Sequence, residues 1–468
     1  MFDKNRAMTK LEFFEAELKA WETSQKRIEM LDGQRYYEGT HDILKRKRTM
    51  IDDNGLEVEV KYLPNNKIID NQYSKHVDQK ADYLLGKPLS FHSEDKDYER
   101  QVQKILGKKF FRTIKNCAIS SLNSGIAFLY PYYNNNSELD FKYFSGCDVL
   151  PFWRDDTHTD LECALRLYNV EEYTGTVKQI SKKVDLFEKD GVTTYDFTNG
   201  KLKLEKDKTS YINLNGQGYN WEHIPLIAIK YNHREIPLIR RAKSIQDAIN
   251  LLQSDFTNNM SEDVRNTVLV LKNYDGTNLD GFRKNLATYG VIKVRTMDGI
   301  AGDVNSLQIA VNATNYELIL KLLKKALVEN MRSYDVKEES LSGNPNQMNI
   351  QSMYSDMDLD ANSMETELQA SFEEILWFVN NHLANNNLGK FDDDIDVIFN
   401  RDILINEGEA ISNCVKSVGL LSNETIIAQH PWTKDVVIEL ERIKKQKEQE
   451  LKELENYAAF GGDIHAHE

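Results

Sequence analysis

Between Pro237 and Arg332 the chain alternates two helical rods with a β-rich insert, and this restricts the fold more than any other feature of its 468 residues. Ile245, Ile249, Leu252, Phe256, Met260 and Val264 recur at steps of three and four, the spacing of one helix face. About 26 residues rising ~1.5 Å each make a rod of roughly 39 Å. The insert TVLVLKNYDGTNLDGFRKNLATYGVIKVRT sets VLVLK and GVIKV around an Asp275-Gly276 turn and a short helix, which reads as a small α/β knob. From about Asn315 to Arg332, Leu318, Leu322 and Ala326 fall on successive turns, so the chain returns as a second rod.

The flanking segments read as a mixed α+β fold. Leu11, Phe14, Leu18, Trp21, Ile28 and Leu31 predict one amphipathic helix over 9–31, with Gly33 as its stop. Ile69, Tyr73, Val77, Ala81 and Leu84 predict a second over Asn66–Leu85, closed by Gly86-Lys87-Pro88. Residues 110–130 form another apolar helix-like stretch. Between 138 and 235, alternating segments such as KVDLFEKDG and KLKLE, parted by Gly and Asn, predict an antiparallel sheet. After the second rod, SYDVKEESLSGNPNQMN is a loop by composition. A long helix follows from about Ile350 to Leu383, then the strand-like DIDVIFN and a helical 405–456 whose Glu and Lys alternate at helical spacing.

A hydrophobic share of 40% is enough for real cores, and a net charge of −15 describes a self-repelling surface with little affinity for phosphate. Cys117, Cys147, Cys163 and Cys414 show no CxxC spacing and are expected as small buried side chains in a reducing compartment. MFDKNRAMTK lacks the apolar core of a signal peptide, and no stretch approaches the ~18 apolar residues of a membrane span, so residence in the cytoplasm is expected.

Few residues offer chemistry. Gly86-Lys87 is followed by Pro88 and lacks the glycine that completes a phosphate cradle, so it reads as a turn. Asp392, Asp393, Asp394 and Asp396 form a carboxylate cluster of the kind two-metal nucleases use, or else a solvated hairpin edge. Lys45-Arg46-Lys47-Arg48 is either a phosphate contact or a solvated face. His41-Asp42, and His76 near Asp78, have no nucleophile beside them and read as structural. Met353, Met357 and Met364 line a channel or ring interface, or fill ordinary core.

Four separated blocks carry a resemblance across most of the chain: YYEGTHDILKRK at 36–47, NNKIIDNQYSKHVDQKADYLLGKPLSF at 65–91, NTVLVLKNYDG at 266–276 and GLLSNETIIAQHPWTKDVVIELERIKKQ at 419–446. Together, and in this order, they resemble the portal proteins of long-tailed phages that infect Gram-positive hosts. The chain departs from that pattern at NPNQMNIQSMYSDMD, where the family often has a Ser-Gly-rich, Ala-containing start to the long helix.

The resemblance implies a closed ring of about twelve copies with no active site, metal or cofactor. It implies a mixed α/β wing at 1–235, stem helices at 236–265 and 312–335, a small α/β clip at 266–311 and a tunnel loop at 336–349. A long helix returning to the wing at 350–400 and a helical crown at 401–468 complete the portal fold. Lys337, Glu338, Glu339, Asn344 and Asn346 would then face DNA, and Asn273, Tyr274, Asp275 and Asp280 would face the motor or adaptor. The implied partners are double-stranded DNA, the terminase large subunit, a head-completion adaptor, and scaffold and major capsid proteins, with no membrane. The implied location is the portal vertex of a virion assembled in the host cytoplasm, where DNA is packaged and later ejected. Each rod would bury its apolar stripe against neighbouring subunits. The competing reading is a metal-dependent nuclease built on Asp392–Asp396; a minor capsid or tail adaptor would lack the rod–knob–rod insert.

Overall fold

The N-terminal stretch breaks into two helices, Lys10–Glu22 and Gln25–Tyr37, because Ser24 turns the chain and its hydroxyl accepts the Arg27 N–H as a new N-cap. Gly33 therefore lies inside a helix and does not stop one. A Cβ there would sit 1.9 Å from the Asn123 carbonyl oxygen, so glycine permits the close approach of two helices. The computed structural model describes residues 8–51, 55–60, 64–214, 216–263, 268–272, 296–297, 300–301, 303–307, 313–335, 347–391, 393–401, 407–433 and 436–461.

The second expected helix is shorter than its periodicity suggests, spanning Gln72–Leu85, with Asn71 accepting the Ser74 N–H as its cap. Residues 64–71 are neither helix nor strand. Helices Lys96–Ile105 and Lys108–Ser124 follow, and Gly125, at φ +81°, turns the chain directly into the strand Ile126–Tyr133. The apolar run at 110–130 is thus half helix and half strand.

The expected antiparallel sheet is present. Five strands lie in the order Lys201–Thr209, Gly191–Thr198, Val177–Glu188, Leu161–Thr174 and Val149–Trp153. Phe14, Leu18 and Trp21 of the first helix bury against Leu165, Leu167, Val184 and Leu186 on one face of this sheet. Ile126–Tyr133 is the centre of a separate three-stranded sheet, between Ile227–Lys230 and Leu139–Ser145.

The long helix, Gln347–Asn385, runs through the largest core. Leu368, Phe372, Ile375, Phe378, Val379 and Leu383 make one buried stripe on it, and Phe372 sits among the rings of Phe91, Phe110 and Phe399. Met357 and Met364 are buried in core, which decides their role as packing; the Met353 side chain lies outside the described residues. DIDVIFN contributes Asp396–Ile398, paired with Ser90–His92. Among the described residues after 401 three helices follow, Glu407–Lys416, Asn423–Ala428 and Val436–Gly461. The class is α+β, as expected. All four cysteines are buried and unpaired, and among the described residues no helix is long and apolar enough to cross a membrane.

Candidate functional site

The two rods are Ile239–Asp263 and Ala313–Asn330, and they pack side by side. Phe256 and Tyr316 meet with ring centroids 4.9 Å apart, and Asn259 donates to the Tyr316 hydroxyl at 3.1 Å. Ile249 is fully buried, with Ile245, Leu320 and Leu323 packed against the same core. Part of the stripe expected to face neighbouring subunits, Ile245, Ile249 and Phe256, is therefore used inside the chain. What stays exposed on the rods is Leu251 and Ile319 together with Met260, Leu318 and Leu322 of the expected stripe. VLVLK of the insert pairs with Asp303–Leu307, while GVIKV lies outside the described residues.

A second face of the outgoing rod carries Gln246, Asn250, Ser254 and Asn258, one per turn and all at 0% exposure. Their side chains accept backbone N–H groups of the segment before the Gln72–Leu85 helix and of that helix's first turn. Asn258 takes Asn66 at 2.7 Å, Ser254 takes Ile68 at 2.9 Å, Asn250 takes Asp70 at 3.0 Å and Gln246 takes Tyr73 at 3.0 Å. Four helical residues rise ~6.0 Å and two extended residues ~6.6 Å, so the alternate N–H groups of Asn66, Ile68 and Asp70 meet successive turns. This ladder explains why 64–71 is not helical: its donors find better partners on the rod than in a helix of their own. Asp70 also pairs with Lys324 of the returning rod at 2.7 Å.

Both roots of the rods converge on one carboxylate. Asp360 of the long helix accepts Lys80 at 2.8 Å, the Tyr231 hydroxyl at 2.6 Å and Arg241 at 3.2 Å, with Arg332 at 3.7 Å. Arg241 opens the outgoing rod, and Arg332, in the left-handed region at φ +49°, ends the returning one. Lys80 also donates to the Arg332 carbonyl at 3.0 Å. Burial alone would raise the Asp360 pKa; the Lys80 ammonium, with Tyr231 and Arg241, overcomes it and holds the carboxyl below its ordinary value.

The residues that suggested chemistry are absorbed by this scaffold. Both His41 nitrogens are engaged, with the Tyr36 carbonyl at 3.0 Å and Asn250 at 2.7 Å, and burial lowers its pKa. His76 is buried against Gln79 and pushed down to about 4. Asp78 instead accepts from Tyr37. The basic run is answered within the chain: Lys45 by Asp42, Arg46 by Asp255, Lys47 by Glu59 and Arg48 by the Pro64 carbonyl. Asp393, Asp394 and Asp396 are exposed, Asp392 lies outside the described residues, and among those described no three His, Cys, Asp or Glu gather as a metal site.

Lys337, Glu338, Glu339, Asn344 and Asn346 lie outside the described residues, as do Asn273, Tyr274, Asp275 and Asp280. Sequence reasoning missed the ladder and the Asp360 knot. The ladder did leave a signal, a helix face of Gln, Asn and Ser with no charge over four turns. The knot left none, because its members are scattered from residue 80 to residue 360.

The family model described as "Phage portal protein, SPP1 Gp6-like" matches residues 18–453. The portal protein of Bacillus phage SPP1 is 28% identical over 444 residues, covering 93% of this chain and 85% of that protein. The portal protein of Clostridium phage phiCD119 is 26% identical over 459 residues, covering 93% and 96%. A solved structure, "Neck of native GTA particle computed with C12 symmetry", aligns with a TM-score of 0.38 at 12% identity, covering 76% of this chain and 88% of that one, a likeness too loose to bear on the fold. With the family match running unbroken across the body, the rods and the C-terminal helices, this chain belongs to the phage portal protein family, SPP1 Gp6-like.

Proposed function

We propose that this chain is the repeating subunit of a portal, a closed ring of about twelve copies around a DNA channel at one capsid vertex, used for packaging and later ejection. The observation that carries this reading is the family match over 18–453. The anchored rod pair supports it, because a projecting hairpin of helices needs fixed roots to hold a clip at a set place.

In this reading 1–235 is the wing, 236–265 and 312–335 the stem, 266–311 the clip, 336–349 the tunnel loop and 401–468 the crown. Lys337, Glu338, Glu339, Asn344 and Asn346 line the channel; Asn273, Tyr274, Asp275 and Asp280 meet the terminase large subunit or the head-completion adaptor. Scaffold and major capsid proteins place the ring, and assembly takes place in the host cytoplasm. Conduction by a chain of net charge −15 relies on weak affinity for phosphate, so DNA slides and is not gripped. The family's structural character argues against a nuclease, and no observation favours the aspartate cluster as a catalyst.

Light scattering and negative-stain microscopy of the purified protein test the reading. A ring of about twelve protomers with a central hole is expected; a chain that stays monomeric at every concentration, scaffold present, would overturn it.

A further inference from the structure

The C-terminal unit at 407–433 has no core of its own. Only Cys414 is buried within it, while Val415, Val418, Leu420, Leu421 and Trp432 stand 67%, 65%, 83%, 54% and 71% exposed. Trp432 donates to Glu407, and the Cys414 thiol to the Ile426 carbonyl, both inside the unit. Even with Asn423–Ala428 resting on Val436–Gly461, two short helices with one buried side chain bury too little to offset the entropy of ordering them. Five large apolar side chains this exposed in one short unit mark a surface that is covered in the working assembly.

We infer that 407–433 is a subunit-contact module whose core is completed by the same unit of a second copy of this chain. This rests on the portal reading and adds to it which surface closes the ring at this level and that the module orders only on assembly. Two observations select a second copy. A unit that cannot hold itself needs a companion present at equal number and at all times, which another copy supplies and a transient partner does not. The charge is also self-matching: 407–433 has three acidic residues and one basic, and 436–452 has four acidic and five basic. Such a balanced surface fits its like better than it fits DNA or a strongly charged protein.

The test is hydrogen exchange and tryptophan emission on the full-length protein, comparing the unassembled fraction with the ring. Trp21 and Trp221 are buried and Trp153 and Trp377 half-buried, so Trp432 is the indole whose surroundings should change most. The expected result is exchange at 407–433 slowed about tenfold or more in the ring, with a blue shift absent from Trp432→Phe. Val418→Asp combined with Leu420→Asp, both exposed in the single chain, should leave its circular dichroism and thermal unfolding unchanged while removing the protection and lowering the assembled mass. Equal exchange in both fractions, a double variant that assembles with wild-type mass and protection, or protection that appears only when another protein is added would overturn the inference. Rings whose 407–433 stays unprotected remove this inference alone; a wild-type chain that forms no ring removes the portal reading with it.

Discussion

The buried stripe of the long helix and the polar flank of the outgoing rod are held by different chemistry. Phe372 and its neighbours fix the long helix through apolar area, which is non-directional and tolerates small slips. The outgoing rod is held on one flank by apolar contacts and on another by four polar side chains, each aimed at one N–H group. Apolar burial supplies most of the attraction. The ladder supplies register, because a displaced rung leaves a buried donor unpaired. A rod that must present its far end at a set height needs the second kind of contact.

This contrast can be broken or sharpened by substitution. Phe372→Ala should cost about 4 kcal/mol through lost burial and a residual cavity, read by chemical denaturation. Asp360→Leu alone should cost about 4 kcal/mol, since it strands the Lys80 ammonium, whereas Lys80→Met with Asp360→Leu should recover all but about 1 kcal/mol. A double variant as unstable as the single would show that Tyr231 and Arg241 matter more than the ion pair.

His76 tests the body by acid. Its folded pKa, depressed to about 4, lies below an unfolded value of ~6.5, so its contribution is complete above ~6.5 and is lost as pH falls towards 4. About 3 kcal/mol should disappear over that window, and His76→Gln should flatten the limb. An unchanged limb would assign the acid sensitivity to another group.

The ladder gives the smallest effects. Asn250→Leu orphans the Asp70 N–H and the His41 ring and should cost about 2 kcal/mol. Ser254→Ala removes one rung and should cost about 1 kcal/mol. If exchange at the Ile68 and Asp70 amides does not quicken in these variants, the ladder does not hold the segment.

Periodicity located the rods, the long helix and the sheet because burial selects apolar residues at the repeat of each element, and that selection is local. It erred where a distant element competed for the same backbone. Ile69 and Tyr73 fit a helical repeat, yet 64–71 gives its N–H groups to the rod some 180 residues away. Gly33 looked like a helix stop because nothing nearby names Asn123 as the surface it must approach. The site residues expected on the loop and clip rest on family resemblance alone, since no spacing in a polar segment says what it faces.

By itself, then, the sequence determined the α+β class, the rod–insert–rod excursion and, through four separated blocks in order, the portal resemblance. Tertiary structure alone decided that Gln246, Asn250, Ser254 and Asn258 face a backbone and not water, and that Lys80, Tyr231, Arg241 and Arg332 meet at Asp360. The physical reason is the range of each signal. An apolar repeat answers only to whether a face is buried, whereas a buried polar group is tolerable only with a particular partner, and that partner is set by the folded chain.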